Sequence, residues 1–146
     1  MSPIIFGSDH AGLGLKGVLM DHLRGRFETR DVGTHSPDSC DYPEIAVRLA
    51  TEVLTQGATG ILICGSGIGM SITANRFAGI RAALCSNEYM ARMSRLHNDA
   101  NVLCLGERII GVDLAKAITD AFLDTRFEGG RHQRRVDLID LRSTPK

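Results

Sequence analysis

Short apolar runs alternate with longer helix-patterned segments along this whole chain, and that alternation limits its fold more than any other feature. Ile4-Ile5-Phe6 reads as a first strand, stopped by Gly7-Ser8-Asp9-His10. Over residues 11–24, Leu13, Leu15, Val18, Leu19 and Leu23 recur at helical spacing. Residues 27–32 suit a half-exposed second strand, and the Gly, Thr, Ser, Pro and Asp of 33–43 a loop. Asp41-Tyr42-Pro43-Glu44 reads as a helix start with Pro43 at the first position, followed by apolar Ile45, Val47, Leu49, Ala50, Val53 and Leu54. Ile61-Leu62-Ile63-Cys64 is an apolar run without alternation, as expected of a central strand covered on both faces. It leads into Gly65-Ser66-Gly67-Ile68-Gly69 and a helical segment over 70–77. Further strands are expected over 82–85 and 102–105, and further helices over 88–96, 112–123 and 131–141.

Strands alternating with helices predict a parallel sheet with helices on both faces, an α/β fold. Ligands of such sheets bind outside the carboxyl ends of the strands, which here means Asp9-His10, the glycine loop, Ser86-Asn87 and Gly106-Glu107-Arg108. At 146 residues, one domain spanning 1–146 is expected. Seventeen basic and seventeen acidic residues cancel, so no overall field favours nucleic acid or an anionic membrane. No apolar stretch approaches membrane-span length. Met1-Ser2-Pro3 lacks the pattern of a secretory signal. Cys40, Cys64, Cys85 and Cys104 form no C-x-x-C pair. The expectation is a cytoplasmic protein with free thiols.

Gly65, Gly67 and Gly69 allow a tight loop whose N–H groups face the cleft, a nest for a phosphate or a developing oxyanion. The spacing departs from the dinucleotide fingerprint, with Ser71 where the final glycine would stand, and no Gly-Lys-Ser/Thr of a Walker loop follows. A turn without a ligand is the plain alternative. Cys64, at the end of the central strand, is either a small buried hydrophobe or a base or nucleophile beside oriented amides. Cys85 and Cys104 are read as core residues. His10 and His97 lie near strand ends, and histidine is the residue type suited to moving protons near neutrality, whereas His22, His35 and His132 are read as surface or capping residues. Arg131 and Arg135, four apart on one helix face, suit a phosphate or simply a solvated basic surface. No His, Cys and carboxylate spacing resembles a metal-ligand set.

Several segments together resemble the ribose-5-phosphate isomerase type B family, whose wider group includes the galactose-6-phosphate isomerase subunits. They are Gly7-Ser8-Asp9-His10-Ala11-Gly12, Asp41-Tyr42-Pro43, residues 63–69, Ala74-Asn75-Arg76-Phe77-Ala78-Gly79-Ile80-Arg81-Ala82, residues 97–103 and Glu128-Gly129-Gly130-Arg131-His132. The resemblance implies a Rossmann-like three-layer αβα sandwich with a five-stranded parallel sheet and a C-terminal helix. It also implies a homodimer or dimer of dimers with shared active sites, and aldose–ketose isomerisation of a small phosphosugar without cofactor or metal. Carried over by position, Cys64 is the base moving a proton between C1 and C2. Ser66 and the amides of Gly65, Gly67, Ile68 and Gly69 hold the enediolate oxygen. Asp9 and His97 assist ring opening, and Asn98 contacts the sugar. His10, Arg108, Arg131 and Arg135 bind the phosphate, some of them across the dimer interface. One branch of the family uses a glutamate of the glycine loop as base; Met70 stands there in this chain.

Ribose 5-phosphate to ribulose 5-phosphate is the expected reaction. The alternatives are the same chemistry on a tetrose 4-phosphate or hexose 6-phosphate, a nucleotide-binding regulatory module, and an inactive subunit of a heteromeric isomerase.

Overall fold

A computed structural model describes residues 2–143. The described strands are β1 (Ile4–Ser8), β2 (Thr29–Asp31), β3 (Thr59–Cys64), β4 (Ala82–Leu84) and β5 (Val102–Gly106), and the α-helices are α1 (Leu13–Leu23), α2 (Tyr42–Gln56), α3 (Ile68–Ala74), α4 (Glu88–Asn98), α5 (Val112–Asp124) and α6 (Arg131–Ser143). The sheet is parallel throughout, in the order β2-β1-β3-β5-β4.

The central strand explains the three layers. Ile61 and Ile63 project to one face of the sheet, where Leu15, Leu19, Ile118 and Phe122 cover them. Leu62 and Cys64 project to the other, beneath Ile45, Leu49, Val53 and Met70. An apolar run without alternation thus serves two cores, because successive side chains of a strand point to opposite faces. Chain order reverses direction across the sheet at β1 and β3, so the crevice of this topology opens above their carboxyl ends.

Local boundaries differ from the expected ones for identifiable reasons. The segment after β1 opens as a 3-10 turn over His10–Gly12 because Asp9 caps it, its Oδ1 accepting from the N–H groups of Ala11 and Gly12 at 3.0 and 3.1 Å. Helix α2 starts at Tyr42, which puts Pro43 at its second position. Strand β2 is only three residues long, pairing with β1 alone at the sheet edge. Helix α3 begins at Ile68 and ends at Ala74, earlier than the apolar pattern suggested. Lys16 is buried and ties α1 to the loop after β2, its Nζ donating to Asp31 at 2.8 Å and to the Thr34 carbonyl. Among the described residues, no helix is long and apolar enough to cross a membrane.

Candidate active site

A cleft of about 620 Å³ opens above the carboxyl ends of β1, β3 and β5. It is lined by Asp9, His10, Cys64, Ser66, Tyr42 and Arg108, with Gly65, Ile68 and Gly69 from the glycine loop. Each strand end brings its own group. Asp9, only 6% exposed, is oriented by the two amides it caps. His10 follows it, and its Nδ1 accepts from the Cys40 N–H at 3.2 Å. A neutral ring held this way carries its proton on Nε2, as a donor.

Cys64 closes β3, and its Sγ accepts from the Gly67 N–H at 3.1 Å. Gly67 must be glycine. Its φ is +78°, and a Cβ there would lie 2.6 Å from Leu84 Cδ1 and 2.9 Å from the Leu105 carbonyl carbon. Close packing therefore presses the loop onto β5 and turns the Gly67 amide toward the sulfur. Ser66 Oγ accepts from the Ile68 N–H at 3.2 Å. Arg108 is fastened beside the loop by its own N–H, which donates to the Gly65 carbonyl at 3.0 Å, while the Glu107 N–H donates to the Cys64 carbonyl at 2.9 Å. The Arg108 guanidinium passes so close to Gly65 that a Cβ there would sit 3.1 Å from Nη1.

The remaining two strand-end thiols lie in different surroundings. Burial pushes the Cys85 thiol up to about 11, despite a hydrogen bond with Ser94 that opposes the shift. Cys104 is fully buried and raised further, by burial first and then by the neighbouring Cys64 and Cys85. Both are core groups, as their sequence positions suggested. The four cysteines are free thiols.

The other expected site residues lie elsewhere. His97 and Asn98 end α4, which begins after β4 at the carboxyl edge and returns the chain to the amino edge, ahead of β5. An eleven-residue helix spans roughly 16 Å, so within one copy His97 and Asn98 sit at the far edge of the sheet from Cys64. Asn98 borders a separate pocket of about 310 Å³ with Arg81, Asn75 and Ile139. Arg131 and Arg135 are exposed on α6, which packs near the end of α4.

His132 corrects the expectation of a surface or capping role: it is buried, and its ring stacks on His97 with centroids 4.2 Å apart and planes 15° apart. Tyr42, expected only as part of a helix start, is a cleft residue. Its ring packs on Gly69, where a Cβ would lie 2.4 Å from Cε1. The available signal was topological: a helix that follows a strand of a parallel sheet begins at the carboxyl edge, beside the ligand crevice.

Comparison with known proteins identifies the family of the chain. Residues 4–139 match the family model described as Ribose/Galactose Isomerase. The chain is 51% identical over 141 residues to the ribose-5-phosphate isomerase B of Escherichia coli strain K12, covering 95% of each chain. Among solved structures, it superimposes on Clostridium thermocellum ribose-5-phosphate isomerase B with a TM-score of 0.94 at 51% identity, over 96% of both chains. The type B enzyme of Trypanosoma brucei gives 0.93 at 43% identity, over 97% of this chain and 99% of that one.

Proposed function

The chain belongs to the ribose/galactose isomerase family, and we propose that it interconverts ribose 5-phosphate and ribulose 5-phosphate with Cys64 as the base. The whole chain, residues 1–146, acts as one isomerase domain. One observation carries the catalytic reading: the Cys64 sulfur is held by the Gly67 amide at 3.1 Å in the same cleft as Asp9, His10 and Arg108. A base, a source of oriented amides and a cationic grip for a remote phosphate thus meet in one place.

The chemistry follows from these positions. The Cys64 thiolate takes the proton from C2 of the open-chain aldose, and the electron pair forms the C1–C2 double bond with charge on O1. The same sulfur returns that proton to C1 while the O2 hydroxyl proton passes to O1 and the C2 carbonyl forms. Ser66 and the amides of 65–69 stabilise the enediolate oxygen. A positioned base contributes about 10²–10⁴-fold and an oxyanion donor about 10²–10³-fold. His10 Nε2–H and Arg108 hold the phosphate, so binding energy far from the reacting carbons offsets the cost of ring opening.

Asp9, which lines the cleft, assists ring opening in this reading; His97 and Asn98 do not reach this cleft within one copy. We assign them, with Arg131 and Arg135, to the site of a second copy, so that a homodimer shares two composite sites. Exposed apolar residues on α4 and α6 support such an interface: Tyr89, Met90, Leu138 and Ile139. The free thiols fit a reducing compartment, and the cytoplasm is the proposed location.

The test is a coupled isomerase assay of the wild type and Cys64→Ala on a panel of phosphosugars. The variant should keep its affinity for ribose 5-phosphate and lose about 10²–10⁴-fold in kcat. Wild-type turnover by the variant would remove Cys64 as base. A kcat/KM highest for a tetrose 4-phosphate or hexose 6-phosphate would reassign the substrate.

A further inference from the structure

Three potential metal ligands meet at the amino edge of the sheet, outside the cleft described above. One ring nitrogen from each of His97 and His132 and one carboxylate oxygen of Glu128 all lie within 4.8 Å of one another. They come from separate elements. His97 is in the last turn of α4, Glu128 in the connection after α5, and His132 in the first turn of α6. The backbone brings them together: the Glu128 N–H donates to the Leu96 carbonyl at 3.2 Å, and the His132 N–H to the Gly129 carbonyl at 3.1 Å. Gly129 and Gly130, both at positive φ, make the sharp turn between the carboxylate and the second imidazole.

A second observation points to a missing partner. His132 is 4% exposed, and its Nε2 is buried without a hydrogen-bond partner among the described residues. A buried polar nitrogen left in this state is costly unless a ligand satisfies it.

We propose that His97, Glu128 and His132 bind a divalent transition cation of the zinc type, with water in the fourth position. Two imidazoles and a carboxylate are a zinc donor set, whereas magnesium and calcium call for oxygen ligands throughout. Tetrahedral zinc with bonds of about 2.0–2.1 Å holds its donors about 3.4 Å apart. The His97 and His132 rings are stacked with planes 15° apart, so sharing one ion requires the partly exposed His97 ring to turn out of the stack while the exposed Glu128 swings in. The nearby Arg131 and Arg135 oppose a cation, so binding is reversible and weaker than at a structural zinc site. The cation occupies the His97 lone pair and slows isomerisation. That consequence rests on the ring-opening role proposed for His97; the binding itself does not.

The experiment uses the full chain freed of metal by chelator, with zinc titrated by calorimetry and cobalt by absorption. About one ion should bind per chain, with cobalt showing ligand-field bands and no thiolate charge-transfer band. His132→Ala and Glu128→Gln should each weaken zinc at least about tenfold, since even outer-shell changes cost about 10–100-fold. Glu128→Gln changes an exposed side chain, so its result stands if His132→Ala does not fold. Turnover should fall as zinc fills the site and return with chelator. A thiolate band, an absence of saturable binding, or wild-type affinity in Glu128→Gln would each overturn the proposal. Binding as expected with turnover unchanged would uphold the metal site and instead remove His97 from ring opening.

Discussion

Replacing Gly67 with alanine separates the conformational cost of the glycine loop from its packing cost, because Gly57 provides a matched control. Both residues have positive φ, +78° at Gly67 and +59° at Gly57, but a Cβ at Gly57 meets nothing within 4 Å. The left-handed conformation costs an L-residue about 1–2 kcal/mol, partly offset by the lower chain entropy of unfolded alanine. Gly57→Ala should therefore lose about 1 kcal/mol. At Gly67 the new methyl would also sit 2.6 Å from Leu84 Cδ1 and 2.9 and 3.0 Å from the Leu105 carbonyl carbon and oxygen. The leucine tip can turn aside, but the β5 backbone cannot, and such overpacking adds about 1–3 kcal/mol. The total is about 2–4 kcal/mol. For a chain of this length each kcal/mol moves Tm by about 2–4 °C, so Gly67→Ala should melt about 5–15 °C below the wild type and Gly57→Ala only about 2–4 °C below. The loop must shift to make room, taking the Gly67 N–H off the Cys64 sulfur, so kcat should fall in Gly67→Ala alone. Thermal melts at matched protein concentration and the coupled assay measure both effects. Equal Tm losses in the two variants, or unchanged turnover in Gly67→Ala, would refute this account of the loop.

Subunit complementation tests the shared site: Cys64→Ala and His97→Ala chains, each inactive alone, are refolded together in equal amounts. Random pairing makes half the dimers mixed, each with one intact site, so activity should recover to roughly a quarter of wild type; no recovery would place both residues in the same copy's site or exclude the dimer. Asp120 provides a pH test. Burial raises its carboxyl, but the hydrogen bonds and charges of Arg26 and His22 outweigh that and hold it below the usual carboxylate range. Its folded pKa is thus depressed, and the stability it adds is present above the unfolded value of about 3.9 and is lost as pH falls through the folded one. With the carboxylate 34% exposed, solvent screening keeps the contribution under about 1 kcal/mol. Urea midpoints should show the gap between wild type and Asp120→Asn closing from about pH 5 toward about pH 2; a gap that widens in acid would contradict the assignment.

The layered fold was legible because it depends on local rules. Ile61-Leu62-Ile63-Cys64 could be read as a doubly covered strand from composition alone, and the glycines after it as a turn at the ligand-binding edge. The base candidate was legible for the same reason, since Cys64 is adjacent in sequence to the loop that holds it. Boundaries set by single side-chain contacts were less accessible. The Asp9 cap that makes His10–Gly12 a 3-10 turn and the early end of α3 both depend on hydrogen bonds whose geometry no periodicity encodes.

Sequence by itself determined the α/β class, the parallel sheet, the family and the residues above β1, β3 and β5. Strand periodicity, turn chemistry and motif spacing all act over a few neighbouring positions. Only the tertiary structure decided which of the candidate residues meet. It gathered Asp9, His10, Cys64, Tyr42 and Arg108 in one cleft, sent His97 and Asn98 to the opposite edge, and buried His132 against His97. Those distances are fixed by the direction in which each helix returns across the sheet and by the packing of α6 on α4, which join residues far apart in the chain and leave no periodic trace in it.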